Sequence, residues 1–116
     1  MVDLTELNSQ RRLFYNLAFQ NFRVLQMKRV AITVTGKVQG VGFRAATSSV
    51  ARQLNVTGYV VNQDNGSVLI EAQSDHQNLD SLLEWCKAGP KYAKVKGTLV
   101  RDLETIPGEQ SFEIKR

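Results

Sequence analysis

The sequence predicts an α+β fold: an antiparallel β-sheet with two helices packed on one face. Three observations point there. Segments of strand-like and helix-like periodicity alternate along residues 28–116, and glycine, proline or asparagine punctuates the breaks between them. The length of 116 residues suits one hydrophobic core, burying roughly two thirds of the surface that the unfolded chain would expose. Hydrophobic residues at 42% and charged residues at 22% are ordinary globular usage, with nothing to suggest a fibrous or disordered chain.

Each element has a local cause. Residues 29–35 (RVAITVT) alternate apolar and polar side chains and are rich in β-branched residues, so they read as a strand. Residues 36–42 form a loop containing Gly36, Gly40 and Gly42. Residues 43–54 read as a helix, with Phe43, Ala46, Val50, Ala51 and Leu54 at helical spacing. Residues 57–62 and 67–72 read as two strands joined at Asp64-Asn65-Gly66, where Asn-Gly favours a tight hairpin with positive φ at both residues. A second helix is expected over about 77–87, with Leu79, Leu82, Leu83 and Cys86 on its apolar side, Asp75 capping its start and Gly89-Pro90 stopping it. Residues 93–103 supply a further strand and 112–115 a short last one. The resulting β-α-β-β-α-β order is that of a ferredoxin-like sandwich built from two split βαβ units.

Charge and cysteine content exclude several functions. The formal charge of +4, from 15 Lys and Arg against 11 Asp and Glu, mildly favours anionic ligands. The basic residues are dispersed, and their densest group, Lys87, Lys91, Lys94 and Lys96, reads as a solvated surface. Cys86 alone forms no internal disulfide, and neither it nor the lone His76 belongs to a set with metal-ligand spacing, so no metal site is expected. Cys86 reads as a core thiol, Trp85 and Phe112 as packing residues, and His76 as exposed. No apolar run approaches the roughly 20 residues of a membrane-spanning helix, and the N-terminus lacks the features of a secretory signal. A soluble, cytoplasmic protein is expected, with the sequons at Asn55 and Asn65 unmodified.

Residues 1–26 stand apart as an N-terminal extension to a domain at 27–116. Leu4, Leu7, Phe14, Ala18, Phe22 and Leu25 could stripe an amphipathic helix, although Leu13, Leu17 and Phe19 fall off the stripe. A targeting or partner-binding helix and a stretch lying upstream of a natural start at Met27 both remain open, and no chemistry is assigned to it.

The glycine loop carries the chemistry. Glycines between a strand and a helix let successive N–H groups turn inward as a nest for an anion, and the helix that follows presents its positive dipole end to the same place. Arg44, at that helix start, adds a planar donor fork suited to phosphate oxygens. The loop lacks the Ser or Thr of a Walker A motif, and Ala45 stands where a GxGxxG fingerprint has its third glycine. On these grounds alone, a phosphate cradle and a plain connection are both open.

The stretch Gly36-Lys37-Val38-Gln39-Gly40-Val41-Gly42-Phe43-Arg44 resembles the signature loop of the acylphosphatases. Gly58-Tyr59-Val60-Val61-Asn62 and the hairpin after it resemble that family's Gly-aromatic-Val-x-Asn strand, with Tyr59 in place of a common Trp. The resemblance covers residues 28–116. It implies hydrolysis of the mixed anhydride between a carboxylate and a phosphate, without metal or organic cofactor. It further implies that Arg44 and the N–H groups of Gln39, Gly40, Val41, Gly42, Phe43 and Arg44 grip the phosphoryl group, and that Asn62 holds the attacking water. The expected partner is a small-molecule acyl phosphate or a phosphate anion; no nucleic acid or membrane is expected, and the chain should be a monomer. The alternative is a non-catalytic phosphate- or RNA-binding module of the same fold, disfavoured for RNA because the strands lack the aromatic RNP1 pattern.

Overall fold

The computed structural model describes residues 26–116. The helical reading of the first 25 residues lies outside them. The elements run β1 (Met27–Lys37), α1 (Phe43–Gln53), β2 (Thr57–Asn62), β3 (Val68–Asp75), α2 (His76–Ala88), β4 (Lys94–Leu103) and β5 (Phe112–Lys115). They form one five-stranded sheet in the order β4-β1-β3-β2-β5. The β4-β1-β3-β2 part is antiparallel throughout, as expected, whereas β5 runs parallel to β2, with Val60 opposite Ile114. The fifth strand therefore makes the sheet mixed. It also brings the end of the chain alongside the end of β2.

The expected elements all form, and several extend further. β1 begins at Met27 and continues through Gly36 and Lys37, so Gly36 belongs to the strand and not to the loop. The register with β4 shifts between Thr35 and Gly36, and a Cβ on Gly36 would stand 2.2 Å from the Lys94 carbonyl oxygen. This glycine permits a close approach of strands instead of shaping an anion nest. The hairpin between β2 and β3 also differs from the expected turn: of its Asn-Gly pair only Gly66 has positive φ, at 91°. Asn65 acts through its side chain, whose Oδ1 accepts from the Ser67 N–H at 3.0 Å, while Gly66 N–H closes the turn on the Gln63 carbonyl at 3.1 Å.

The core lies between the helices and one sheet face. Val30, Ile32 and Val34 of β1 pack with Val60, Val68 and Ile70 of the neighbouring strands, and with Phe43, Ala51, Leu79, Leu82 and Cys86 of the helices. The Phe43 and Trp85 rings meet at 5.5 Å, tying the start of α1 to the end of α2. Burial pushes the Cys86 thiol up to about 12. The opposite sheet face is polar. There Arg29, only 2% exposed, donates to Glu71 at 3.1 Å, Glu109 at 2.8 Å and Gln73 at 3.4 Å. A charge so buried is tolerable because its donors are met. Tyr59 also donates to Glu71, and burial together with that bond raises the phenol to about 12. Burial alone would raise Glu71, but the bonds from Tyr59 and Arg29 outweigh it and hold this carboxyl below its usual range. Among the described residues no helix is long and apolar enough to cross a membrane.

Candidate active site

A cleft of about 250 Å³ opens where the N-terminus of α1 faces the ends of β2 and β5. It is lined by Val38, Gly40, Gly42–Ala45, Asn62, Ile114 and Arg116. The start of α1 follows from two glycines: Gly40 and Gly42 have φ of 73° and 77°, a region that costs other residues about 1–2 kcal/mol. A Cβ at either position would meet nothing within 4 Å, so here glycine serves backbone conformation, in contrast to the crowded Gly36. Gly42 caps α1 and supplies no side-chain hydrogen bond. The Ala46 N–H already bonds to the Gly42 carbonyl at 3.1 Å, which leaves the N–H groups of Phe43, Arg44 and Ala45 without partners inside the helix. Those donors and the helix dipole favour an anion in the cleft.

The side chains of the loop divide into two kinds. Arg44 is half-buried, and its Nη1 donates to the Lys115 carbonyl at 3.1 Å, which anchors the guanidinium at the cleft wall. Phe43 turns its ring into the core, so only its backbone faces the cleft. Gln39 and Val41 do not line it. Val41 packs against the core, and Gln39 Nε2 donates to the carbonyls of Gln63 at 2.8 Å and Ser67 at 2.9 Å. That pair of bonds fastens the loop to the hairpin that begins one residue after Asn62. Gln63, next in line, takes up its own side-chain oxygen with Ser67 Oγ at 2.7 Å, a turn contact separate from Asn62.

Asn62 ends β2 on its helix-facing side and lines the same cleft as Arg44. Its Oδ1 is buried and has no hydrogen-bond partner. No protein group donates to this oxygen, so its acceptor capacity is open to a donor from outside the chain. No side chain in the lining is a carboxylate, thiol or imidazole. Among the described residues no three His, Cys, Asp or Glu side chains cluster closely enough to hold a metal ion.

Val38, Ala45, Ile114 and Arg116 were not singled out from the sequence. Ala45 follows Arg44 in the first turn of the helix and could have been read from that alone. Ile114 and Arg116 reach the cleft only because β5 pairs with β2 in parallel, which no local signal in the sequence announces.

Comparison with known proteins agrees with this geometry. The acylphosphatase family model matches residues 30–114. An acylphosphatase of Methylococcus capsulatus is 43% identical over 90 residues, covering 78% of this chain and 98% of that protein. Among solved structures, an acylphosphatase from Bacillus subtilis aligns with a TM-score of 0.73 and 34% identity, covering 77% of this chain and 99% of that one. One from Coxiella burnetii aligns with a TM-score of 0.75 and 29% identity, covering 80% and 97%. On fold, cleft and sequence together, the chain belongs to the acylphosphatase family.

Proposed function

We propose that this chain hydrolyses acyl phosphates in the cleft, with Arg44 and the backbone donors around Gly40–Arg44 holding the phosphoryl group and Asn62 orienting the attacking water. The observation that carries this reading is the orphan Asn62 Oδ1, which shares one cleft with Arg44 and the uncapped start of α1. A water that donates a proton to Oδ1 keeps a lone pair free, and a phosphoryl group seated on the loop lies within the same cleft for in-line attack. The bond from phosphorus to the new oxygen forms as the bond from phosphorus to the acyl oxygen breaks, and a carboxylate leaves. Such a transfer needs positioning and neutralisation of charge on the equatorial oxygens more than covalent assistance. The carboxylate is a good leaving group, which fits a lining without a general acid. An amide takes up no proton, so the phosphoryl oxygens are the natural recipients of the one that water loses.

The same reading extends to the rest of the molecule. Residues 27–116 form the catalytic domain and residues 1–26 an extension to it. The enzyme works as a cytoplasmic monomer on a small-molecule substrate, without nucleic acid. Outside the exposed group at Lys91, Lys94 and Lys96 its basic residues are dispersed, which supports the last point.

Phosphate release from benzoyl phosphate, followed with EDTA present, tests the proposal. The native protein should turn over with EDTA, and Arg44→Ala should weaken both substrate binding and turnover, leaving a small measurable rate. A well-folded native protein that leaves benzoyl phosphate intact would shift the assignment to a phosphate-binding module.

A further inference from the structure

Arg44 is held by a strand that is itself short and exposed. β5 has four residues, of which only Phe112 is buried, and among the described residues it lies at the sheet edge with β2 as its one strand neighbour. A guanidinium tied to such a strand is only as well placed as the strand. Two side chains from α1 grip its main chain on the helix side: Arg44 Nη1 donates to the Lys115 carbonyl at 3.1 Å, and Arg52 Nη2 to the Phe112 carbonyl at 3.4 Å. On the other side of the sheet the Lys115 ammonium sits 3.9 Å from the centroid of the Tyr59 ring. Tyr59 in turn is fixed by Glu71, and Glu71 by the buried Arg29. Lys115 thus offers its carbonyl to the cleft arginine and its ammonium to a tyrosine anchored in the polar network.

We infer that Tyr59 and Lys115 are positioning residues for Arg44: the stack of Lys115 on Tyr59 fixes the end of β5, and the Lys115 carbonyl fixes the guanidinium that faces the phosphoryl group. This rests on the reading of Arg44 as the phosphoryl-binding residue. Neither side chain lines the cleft, so neither touches substrate, and any effect on catalysis passes through the main chain of β5. The aromatic ring at position 59 then serves its π-face as well as its hydroxyl. Phe would preserve the first and lose the second; Leu would lose both.

The test is a double-mutant cycle read as kcat/KM for benzoyl phosphate, with inhibition by inorganic phosphate measured alongside. Lys115→Gln and Tyr59→Leu should each lower kcat/KM by about two- to fivefold, the fold-change that corresponds to a cation–π contact at an exposed site. Both should weaken inhibition by phosphate by a similar factor. In an Arg44→Ala background the same substitutions should change nothing, because the group they position is gone. Lys115→Arg should restore the native value, since it keeps a cation over the ring. Equal losses in both backgrounds would overturn the inference and leave a general effect on the fold. So would a lowered melting temperature with unchanged kcat/KM, or a loss that Lys115→Arg fails to restore. If Arg44→Ala by itself left kcat/KM unaltered, the assignment of Arg44 would fall, a result distinct from failure of the stack alone.

Discussion

The two helices begin in opposite ways. α2 starts after Asp75, whose Oδ1 accepts from the Asn78 N–H at 2.8 Å, so a side chain of this molecule caps its first turn. α1 starts after Gly42 in a left-handed conformation, with no side chain to cap it and its first N–H groups turned to the cleft. Both helices pack on the same core and each follows a strand, so the difference does not serve packing. A self-capped start needs no donor or acceptor from outside the chain. An uncapped start keeps its donors and its dipole free for something that arrives from solution, and an acyl phosphate is suited to fill that place.

The comparison is broken most severely by removing what stands opposite α1. Asn62→Ala leaves the cradle and Arg44 in place but takes away the acceptor for the water. If water positioning is its role, kcat should fall by about a hundredfold to a thousandfold, equivalent to roughly 3–4 kcal/mol of transition-state stabilisation, with KM for benzoyl phosphate little changed. Single-turnover and steady-state rates would check this, and an unchanged kcat would end the role assigned to Asn62.

A second effect should appear in stability instead of rate. If phosphate acts as the missing cap of α1, it binds only the folded chain, and at a hundredfold excess over its dissociation constant it adds about 2.7 kcal/mol. Thermal melts with and without inorganic phosphate should show that gain in the native protein and most of it lost in Arg44→Ala. The self-capped end of α2 predicts that the gain survives in Asp75→Ala. A chloride control at matched ionic strength separates site binding from general screening.

The contrast between the helix starts also shows what could be read before the structure was known. Asp75 was legible as a cap because an Asp two residues ahead of an apolar periodic segment is a local signal, and caps act over only three residues. The β-α-β-β-α-β order was legible for the same reason: period, glycine and proline are all local. Arg44 and Asn62 were marked out by family resemblance, and the fold places them in one cleft. What no local signal announces depends on distant partners. Arg29 reads as the polar member of an alternating strand, yet it is buried against Glu109, 80 positions away. Gln39 reads as part of the phosphate loop, whereas its side chain works 24 and 28 positions on, at the hairpin carbonyls. Gly36 looks equivalent to Gly40 and Gly42 in sequence and differs only because β4 crosses close to it. Contacts between segments far apart in the chain decide all three, and such contacts are not written within any one segment.

The smallest expected effect sharpens the comparison from the other helix. Asp75→Ala removes the acceptor for the Asn78 N–H and should cost about 1 kcal/mol, or a fall of some 4–8 °C in melting temperature for a domain of this size. Activity should not follow, because α2 starts on the side of the molecule away from the cleft lining. Asp75→Asn should recover much of the loss, since the amide oxygen still accepts. If Asp75→Ala lowered kcat as Asn62→Ala is expected to, the ends of the two helices would be coupled, and the division between a stabilising cap and a ligand-binding one would not hold. Unchanged kcat with reduced stability would instead confine catalysis to the helix start that the chain leaves uncapped.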